Sequence, residues 1–457
     1  MKQADAEVSW KRSFFLVVSW LWILTVTSIV LMGYRGLHFS EGMSFLIRDG
    51  HCNTGFEGFG EHCFGDFGYP YNSPEGGYSD QDLVSVNTPL VLHIFLMLRA
   101  LPFNFALSTQ VILSAAAVTI PLAHALRGSI RGGATLIAPF LFLCSTGIIA
   151  AFDRGNRAIW LVPFAYFAFF AWRKDRWNVV FWCVIAAGLL KWWGILLVLL
   201  LLASGRIILA IYSVVVTAVI HLCLILSIHF ILGSLQITGT LSSRFGDLAS
   251  DVRNSSYADA VSQYSHSASD FVGRMHCWFS SAPSCDAPRL YLPIQPSLHH
   301  AIVSFALLGV WWECLRRRGK MDPRVSTLFF AWMLMAIPQS AVYNLSLMSV
   351  AFLIAWSGDE DSLPMVSDQS RDGAISHESR VTEALWGIAL AASLVPVPFF
   401  TDPSGVGFPF HLPRLGLVKW SMLLPGLWIV VFGLEAVESG RERLQTVLVK
   451  HSDATRN

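Results

Sequence analysis

Twelve separate apolar stretches of 12 to 25 residues are candidates for bilayer crossings, and that repetition constrains the fold more than any motif does. In hydrocarbon, each backbone N–H and C=O must find its partner inside its own helix or in a closed barrel. A chain of long unbroken apolar runs is therefore a bundle of transmembrane helices. The stretches are Ser13–Tyr34, Phe103–Leu126, Ala134–Ala151, Ala158–Trp172, Val179–Leu190, Trp192–Ser204, Ile207–Ile231, Ala301–Leu315, Val325–Pro338, Ala341–Trp356, Ala384–Val397 and Leu417–Leu434. Length alone, at 457 residues, would allow about three soluble domains. Composition removes that reading: 54% of residues are hydrophobic and 14% charged, where soluble domains carry roughly 25% charged residues. A net charge of +1 argues against a nucleic-acid partner, which needs a concentrated basic face.

With so few charges, the loop in which each falls sets the orientation. Placing the N-terminus in the cytoplasm, and keeping the short stretch Pro89–Leu101 from crossing, puts most basic short loops on the inner side. These are Arg127 with Arg131, Arg173 to Arg176, Arg206, Arg316 to Lys320, and Arg441 with Arg443. Letting Pro89–Leu101 cross would turn the loops from Arg127 to Arg176 outward, so it is read as a juxtamembrane helix on the outer face. The first span follows Lys2, Lys11 and Arg12 and has no small-residue cleavage site after it, so it is expected to be retained. The expected fold is an all-α polytopic membrane protein of about twelve transmembrane helices with both termini inside. It forms one integral domain with a first outer loop and juxtamembrane helix at 35–102, a second outer loop at 233–300, a polar cytoplasmic linker at 357–380 and a cytoplasmic tail at 435–457. Cys52 and Cys63 lie in the first outer loop, Cys277 and Cys285 in the second. Two local pairs in loops assigned outside are expected to form two disulfides in an oxidising compartment.

The polar residues that carry chemical information gather at outer ends of helices. Asp66 sits three residues after Cys63 among glycines and aromatics, an apolar setting that tunes a carboxylate toward general-base work; the plainer reading is a solvated loop acid. Phe152-Asp153-Arg154-Gly155-Asn156-Arg157 joins two spans with almost no spacer and faces outward against the charge trend, so Asp153, Arg154 and Asn156 suit an anionic headgroup. The plainer reading is a helix cap with an interfacial ion pair. Lys191 divides two segments of about twelve or thirteen residues, roughly 18–20 Å each. A hairpin there would sink a cation below the outer surface, suited to phosphate; a single tilted span would bury and pair it. His299 and His300 close the second outer loop, whose aromatics and cations suit sugar stacking and phosphate contact, or an ordinary folded loop. Tyr343 stands in the outer turn Pro338–Asn344. No nucleotide-binding glycine loop, zinc motif or nucleophile elbow is present.

In their order, these parts resemble the C-type (GT-C) membrane glycosyltransferases, and most nearly glycosyltransferase family 87. Asp153-Arg154-Gly155-Asn156 and Lys191-Trp192-Trp193-Gly194 stand where that family shows a Gly-Asn turn and a Lys-x-x-Pro turn; the proline is missing here. Asn87-Thr88-Pro89-Leu90 is similar to the juxtamembrane element of lipid A aminoarabinose transferases. The likeness covers most of the first 230 residues. It implies a GT-C-like bundle and an inverting hexosyl or pentosyl transferase, of mannose or arabinose type, with a polyprenyl-phosphate sugar donor and a cell-envelope lipid or glycan acceptor. It further implies a site at the outer face of a bacterial plasma membrane, bordering membrane lipid. The implied base is an acid of the first outer loop: Glu41 by register, Asp66 by local setting, with Asp66 preferred. Lys191 and Arg154, with His299 or His300, would stabilise the leaving phosphate. No obligatory cofactor follows, although Asp153 could orient the headgroup or hold a divalent ion. The competing expectations are a transporter or flippase of a lipid-linked sugar, with charges near mid-membrane on several helices, and an envelope polysaccharide polymerase or ligase.

Overall fold

In a computed structural model of the chain, the described residues are 67, 88–126, 134–153, 155–232, 267–279, 296–337, 342–356, 377–394, 411–412, 416–417 and 420–456. They are almost wholly helical. The helices are α1 (Pro89–Arg99), α2 (Phe103–Leu126), α3 (Ala134–Leu143), α4 (Thr146–Asp153), α5 (Leu161–Arg173), α6 (Trp177–Leu190), α7 (Val198–Ala203), α8 (Ile207–Leu232), α9 (Ala268–Phe279), α10 (Pro296–Arg318), α11 (Pro323–Ala336), α12 (Ser346–Trp356), α13 (His377–Leu394) and α14 (Trp420–Arg456). Short 3-10 turns cover Arg157–Trp160, Trp192–Leu197 and Val342–Leu345. A two-residue antiparallel pair, β1 (His411–Leu412) with β2 (Gly416–Leu417), precedes α14. Among the described residues, three helices are long and apolar enough to cross a membrane, over Phe103–Leu126, Ile207–Ser227 and Leu298–Arg318.

The core is a continuous apolar cluster built on α5, α11 and α12, where Trp172, Phe169, Phe329, Phe330 and Phe352 are fully or almost fully buried. Helix α11 is buried along its whole length, as expected of a central helix surrounded by others. In contrast, α8 turns Ile208, Ile211, Tyr212 and Leu222 outward, so its outer face suits lipid and not water.

One end of the bundle collects the loops that the basic residues marked. The Arg173 guanidinium donates to the Lys320 and Ile354 carbonyls, both at 3.2 Å. Lys320 pairs with Asp175 at 2.6 Å, and Arg206 lies 5.1 Å from the Trp177 ring centroid. Beside them, Arg317, Arg318 and Arg324 of α10 and α11 surround Glu435 of α14, whose side chain is almost fully buried. The opposite end holds α1, the turn after α4, the Lys191 turn, the start of α10 and the turn before α12.

Several boundaries differ from the sequence reading. The stretch Ala134–Ala151 is not one unbroken helix: it breaks at Cys144 and Ser145, where Ser145 Oγ bonds the Phe142 carbonyl at 2.7 Å and meets Ser349 Oγ at 2.7 Å. A hydroxyl that captures the backbone in this way competes with the helix ladder. The helix that holds the last apolar stretch continues past Leu434. Helix α14 runs unbroken to Arg456, so the segment 435–457 is a helical extension over most of its length. Helix α13 likewise begins at His377, inside the linker assigned to 357–380. Pro89–Arg99 is a helix of 11 residues, about 16 Å long and too short to cross a ~30 Å hydrocarbon core. The first stretch, Ser13–Tyr34, lies outside the described residues, as does most of each long outer loop.

Candidate functional site

The site is set by where the chain turns back. Helix α6 has 14 residues, about 21 Å, and ends at Lys191, whose backbone is extended with φ −146° and ψ 134°. The following turn and α7 return beside α6, and Trp172 Nε1 donates to Ser204 Oγ at 2.7 Å back at the basic end. The hairpin therefore stops short of a full crossing, and Lys191 is buried at its tip with 8% exposure. Gly194 makes the return possible: a Cβ there would fall 2.3 Å from the Ala187 carbonyl oxygen. No side chain fits in that space, which accounts for glycine in the Lys-Trp-Trp-Gly turn.

A helix that ends in a buried setting leaves its last carbonyls without intrahelical donors. Two other helices supply them. Thr88, preceding α1, donates its hydroxyl to the Leu189 carbonyl at 2.6 Å, and His221 Nε2 of α8 donates to the Gly188 carbonyl at 3.2 Å. Thr88 thus fastens the juxtamembrane helix onto the Lys191 turn. Pro89 at the first helical position sets the direction in which α1 leaves.

Helix α1 then reaches the second group of residues marked by the sequence. The Arg157 guanidinium lies 4.4 Å from the Phe95 ring centroid, and Phe95 packs on Phe67 at 5.7 Å. Phe67 is fully buried and immediately follows Asp66. Gln110 of α2 donates to the Gly155 carbonyl at 3.1 Å and holds the Asp153–Asn156 turn against the bundle. Asn156 is buried and caps the next turn, its Oδ1 accepting from the Ala158 amide at 2.8 Å. That cap is the plainer of the two readings of the turn, and it commits one of the two polar atoms Asn156 could offer a ligand. The turn Val342–Leu345 packs along α4, so closely that a Cβ on Gly147 would sit 2.0 Å from the Ser346 nitrogen.

Among the described residues, five separated parts meet at one end: Phe67, the Thr88–Pro89 corner, Asn156 with Arg157, Lys191, and the turn that carries Tyr343. His299 and His300 belong to a different group of helices. Their helix, α10, packs on α9, α11 and α14, and His300 Nε2 donates to the Ala336 carbonyl at 2.6 Å. Asp66, Glu41 and Arg154 lie outside the described residues, as do the side chains of Asp153 and Tyr343. The proposed disulfides also fall outside them: Cys52, Cys63 and Cys285 in full, and Cys277 in its side chain. Among the described residues no three His, Cys, Asp or Glu side chains group as a metal site.

Three residues of this end escaped the sequence reading. Gln110, His93 and His221 lie inside or beside apolar runs, and only His221 carried a signal. Ser213, Thr217 and His221 fall at i, i+4 and i+8 of α8 and are all buried, a polar row on one face of a hydrophobic helix. The chain matches no family model, no curated protein and no solved structure.

Proposed function

We propose that this protein is an inverting membrane glycosyltransferase. It moves a sugar of mannose or arabinose type from a polyprenyl-phosphate donor to a lipid or glycan of the cell envelope, at the outer face of a bacterial plasma membrane. One observation carries the reading: Lys191 is buried at the tip of a shortened hairpin, and Thr88 and α1 link that tip to Arg157 and to Phe67, the neighbour of Asp66. A buried ammonium at that depth suits the headgroup of a lipid phosphate, because it is reached from the bilayer and held away from bulk water.

In this reading Asp66, with Glu41 as the other candidate, takes the proton of the acceptor hydroxyl. The acceptor oxygen attacks the anomeric carbon through an oxocarbenium-like transition state, and the bond from that carbon to the phosphate oxygen breaks. The electron pair leaves on the phosphate, where Lys191 and Arg154 offset the new charge. Arg157 stays stacked on Phe95 and positions the turn that carries Asp153 and Arg154. Asp153 orients the headgroup or holds a divalent ion. Tyr343 lines the same end, and His299 and His300 act from the α10 side.

The test is transfer from radiolabelled decaprenyl-phosphate mannose and decaprenyl-phosphate arabinose in isolated membranes. Asp66→Asn is expected to lower transfer by about 10²-fold or more, as loss of a general base does. Lys191→Met is expected to lower it similarly. Wild-type rates in both Asp66→Asn and Glu41→Gln would overturn the base assignment. Movement of either lipid between leaflets without transfer would replace the enzyme by a flippase.

A further inference from the structure

His221 is an ionisable residue in the middle of a 26-residue apolar helix, fourteen residues along from Ile207. Lys191 lies fourteen residues along from Trp177 at the start of α6. Both helices start at the basic end of the bundle, so at 1.5 Å per residue both side chains stand about 21 Å above that end. Ionisable residues at such depth are rare, and where they occur they mark function by default.

The surroundings of His221 go beyond a structural cap. Its Nε2–H is committed to the Gly188 carbonyl at 3.2 Å. In the neutral ring that leaves Nδ1 as an acceptor, and Nδ1 is buried with no hydrogen-bond partner among the described residues. A cap needs only one ring nitrogen, and the buried Nδ1 acceptor contributes nothing to it. The imidazole also lies against Trp192, with ring centroids 4.5 Å apart and planes inclined by 34°. Trp192 directly follows Lys191 and remains half exposed, so one face of the indole is covered by His221 while much of the ring is open. An open indole beside an unsatisfied buried acceptor, next to a buried ammonium, combines the three contacts a phosphate-linked sugar asks for: a platform, a hydroxyl acceptor and a cation.

Resting on the donor reading above, we infer that His221 and Trp192 form the sugar-reading half of the donor site. The exposed indole carries the face of the sugar ring, His221 Nδ1 accepts a hydrogen bond from one of its hydroxyls, and Lys191 meets the phosphate. His221 then selects among lipid-linked sugars, while the bare lipid phosphate does not sense it.

Equilibrium binding to the full-length protein in nanodiscs tests this, with radiolabelled decaprenyl phosphate and with decaprenyl phosphate carrying mannose, arabinose or glucose. The His221→Gln variant keeps a donor near the Nε2 position and loses the Nδ1 acceptor. It is expected to bind decaprenyl phosphate within twofold of wild type and the preferred sugar-bearing lipid about tenfold more weakly. His221→Asn, which restores an oxygen near the Nδ1 position, is expected to regain part of that preference. Trp192→Ala is expected to weaken the sugar-bearing lipid alone, and Lys191→Met to weaken both. If His221→Gln binds the sugar-bearing lipid like wild type, or loses both lipids equally, the sugar-reading role fails and His221 is only a cap. If the wild type binds none of the lipids, the donor reading itself fails and takes the subsite with it.

Discussion

At the residue scale, close approach of backbones decides more of this site than charge does. Gly194 lies against the Ala187 carbonyl and Gly147 against the Ser346 amide, both nearer than any Cβ tolerates. Gly194→Ala must therefore push the two arms of the hairpin apart. It is expected to lower stability by at least about 1–3 kcal/mol, the usual cost of overpacking, read as a fall in the thermal midpoint in detergent. Lys191 should lose its buried position at the same time, so transfer falls even though no charged group is changed. The sequence showed Lys191 as the odd cation between two apolar segments, and also showed the glycine three residues later. It could not show that Gly194 faces Ala187, because that contact exists only once the chain has reversed. His221 was hidden for a related reason. A single His in a long apolar run reads as part of the span, and its meaning depends on which helix the Ser213-Thr217-His221 face meets.

At the element scale, each shortened helix is completed by a neighbour. Helix α6 ends early, and Thr88 and His221 take up its last carbonyls. Helix α1, too short to cross, is held at both its start and its middle: His93 Nδ1 donates to the Pro89 carbonyl at 3.0 Å, and Ser227 of α8 meets Nε2 at 3.2 Å. Thr88→Val keeps the shape and removes the hydroxyl. It is expected to cost about 1 kcal/mol, with faster amide hydrogen exchange over 89–99 and little change in α11. The basic-loop count keeps Pro89–Leu101 from crossing; in the structure this stretch holds an 11-residue helix whose preceding Thr88 is tied to the hairpin tip. Helix lengths were less legible. The break at Ser145 and the run of α14 to Arg456 depend on a serine bonded across to α12 and on arginines from another pair of helices.

At the scale of the whole molecule, one buried ionic network closes the basic end. Arg317 and Arg318 meet Glu435 at 2.9 and 3.5 Å, Arg324 approaches it at 3.8 Å, and Arg318 also holds Glu438 at 2.9 Å. Removing Glu435 takes away the one carboxylate that the three guanidiniums share, while Arg317 keeps Glu442, Arg318 keeps Asp322 and Glu438, and Arg324 keeps Asp322 and Glu383. Glu435→Ala is expected to cost about 1.5–3 kcal/mol, the scale of hydrogen bonds to charged groups, and to loosen α14 from α10 and α11, seen as new protease cleavage after Arg317 or Arg318. The exposed pair Arg443–Glu313 should matter far less when broken, since solvent screens it. The sequence by itself determined that the chain is helical, with helices apolar enough to cross a membrane, and which of the described basic loops share an end. Those follow from apolar length and from scarce charges, both local properties of the chain. Tertiary structure alone decided that α6 and α7 form a hairpin with Lys191 at its tip, and that Arg157 meets Phe67 through Phe95. It also decided that His221 stands beside Trp192. The physical reason is that an apolar run records how well a segment suits lipid but carries no record of its neighbours. In a bundle with uniformly apolar faces, the partner of each helix is chosen by small residues and single hydrogen bonds that periodicity cannot see.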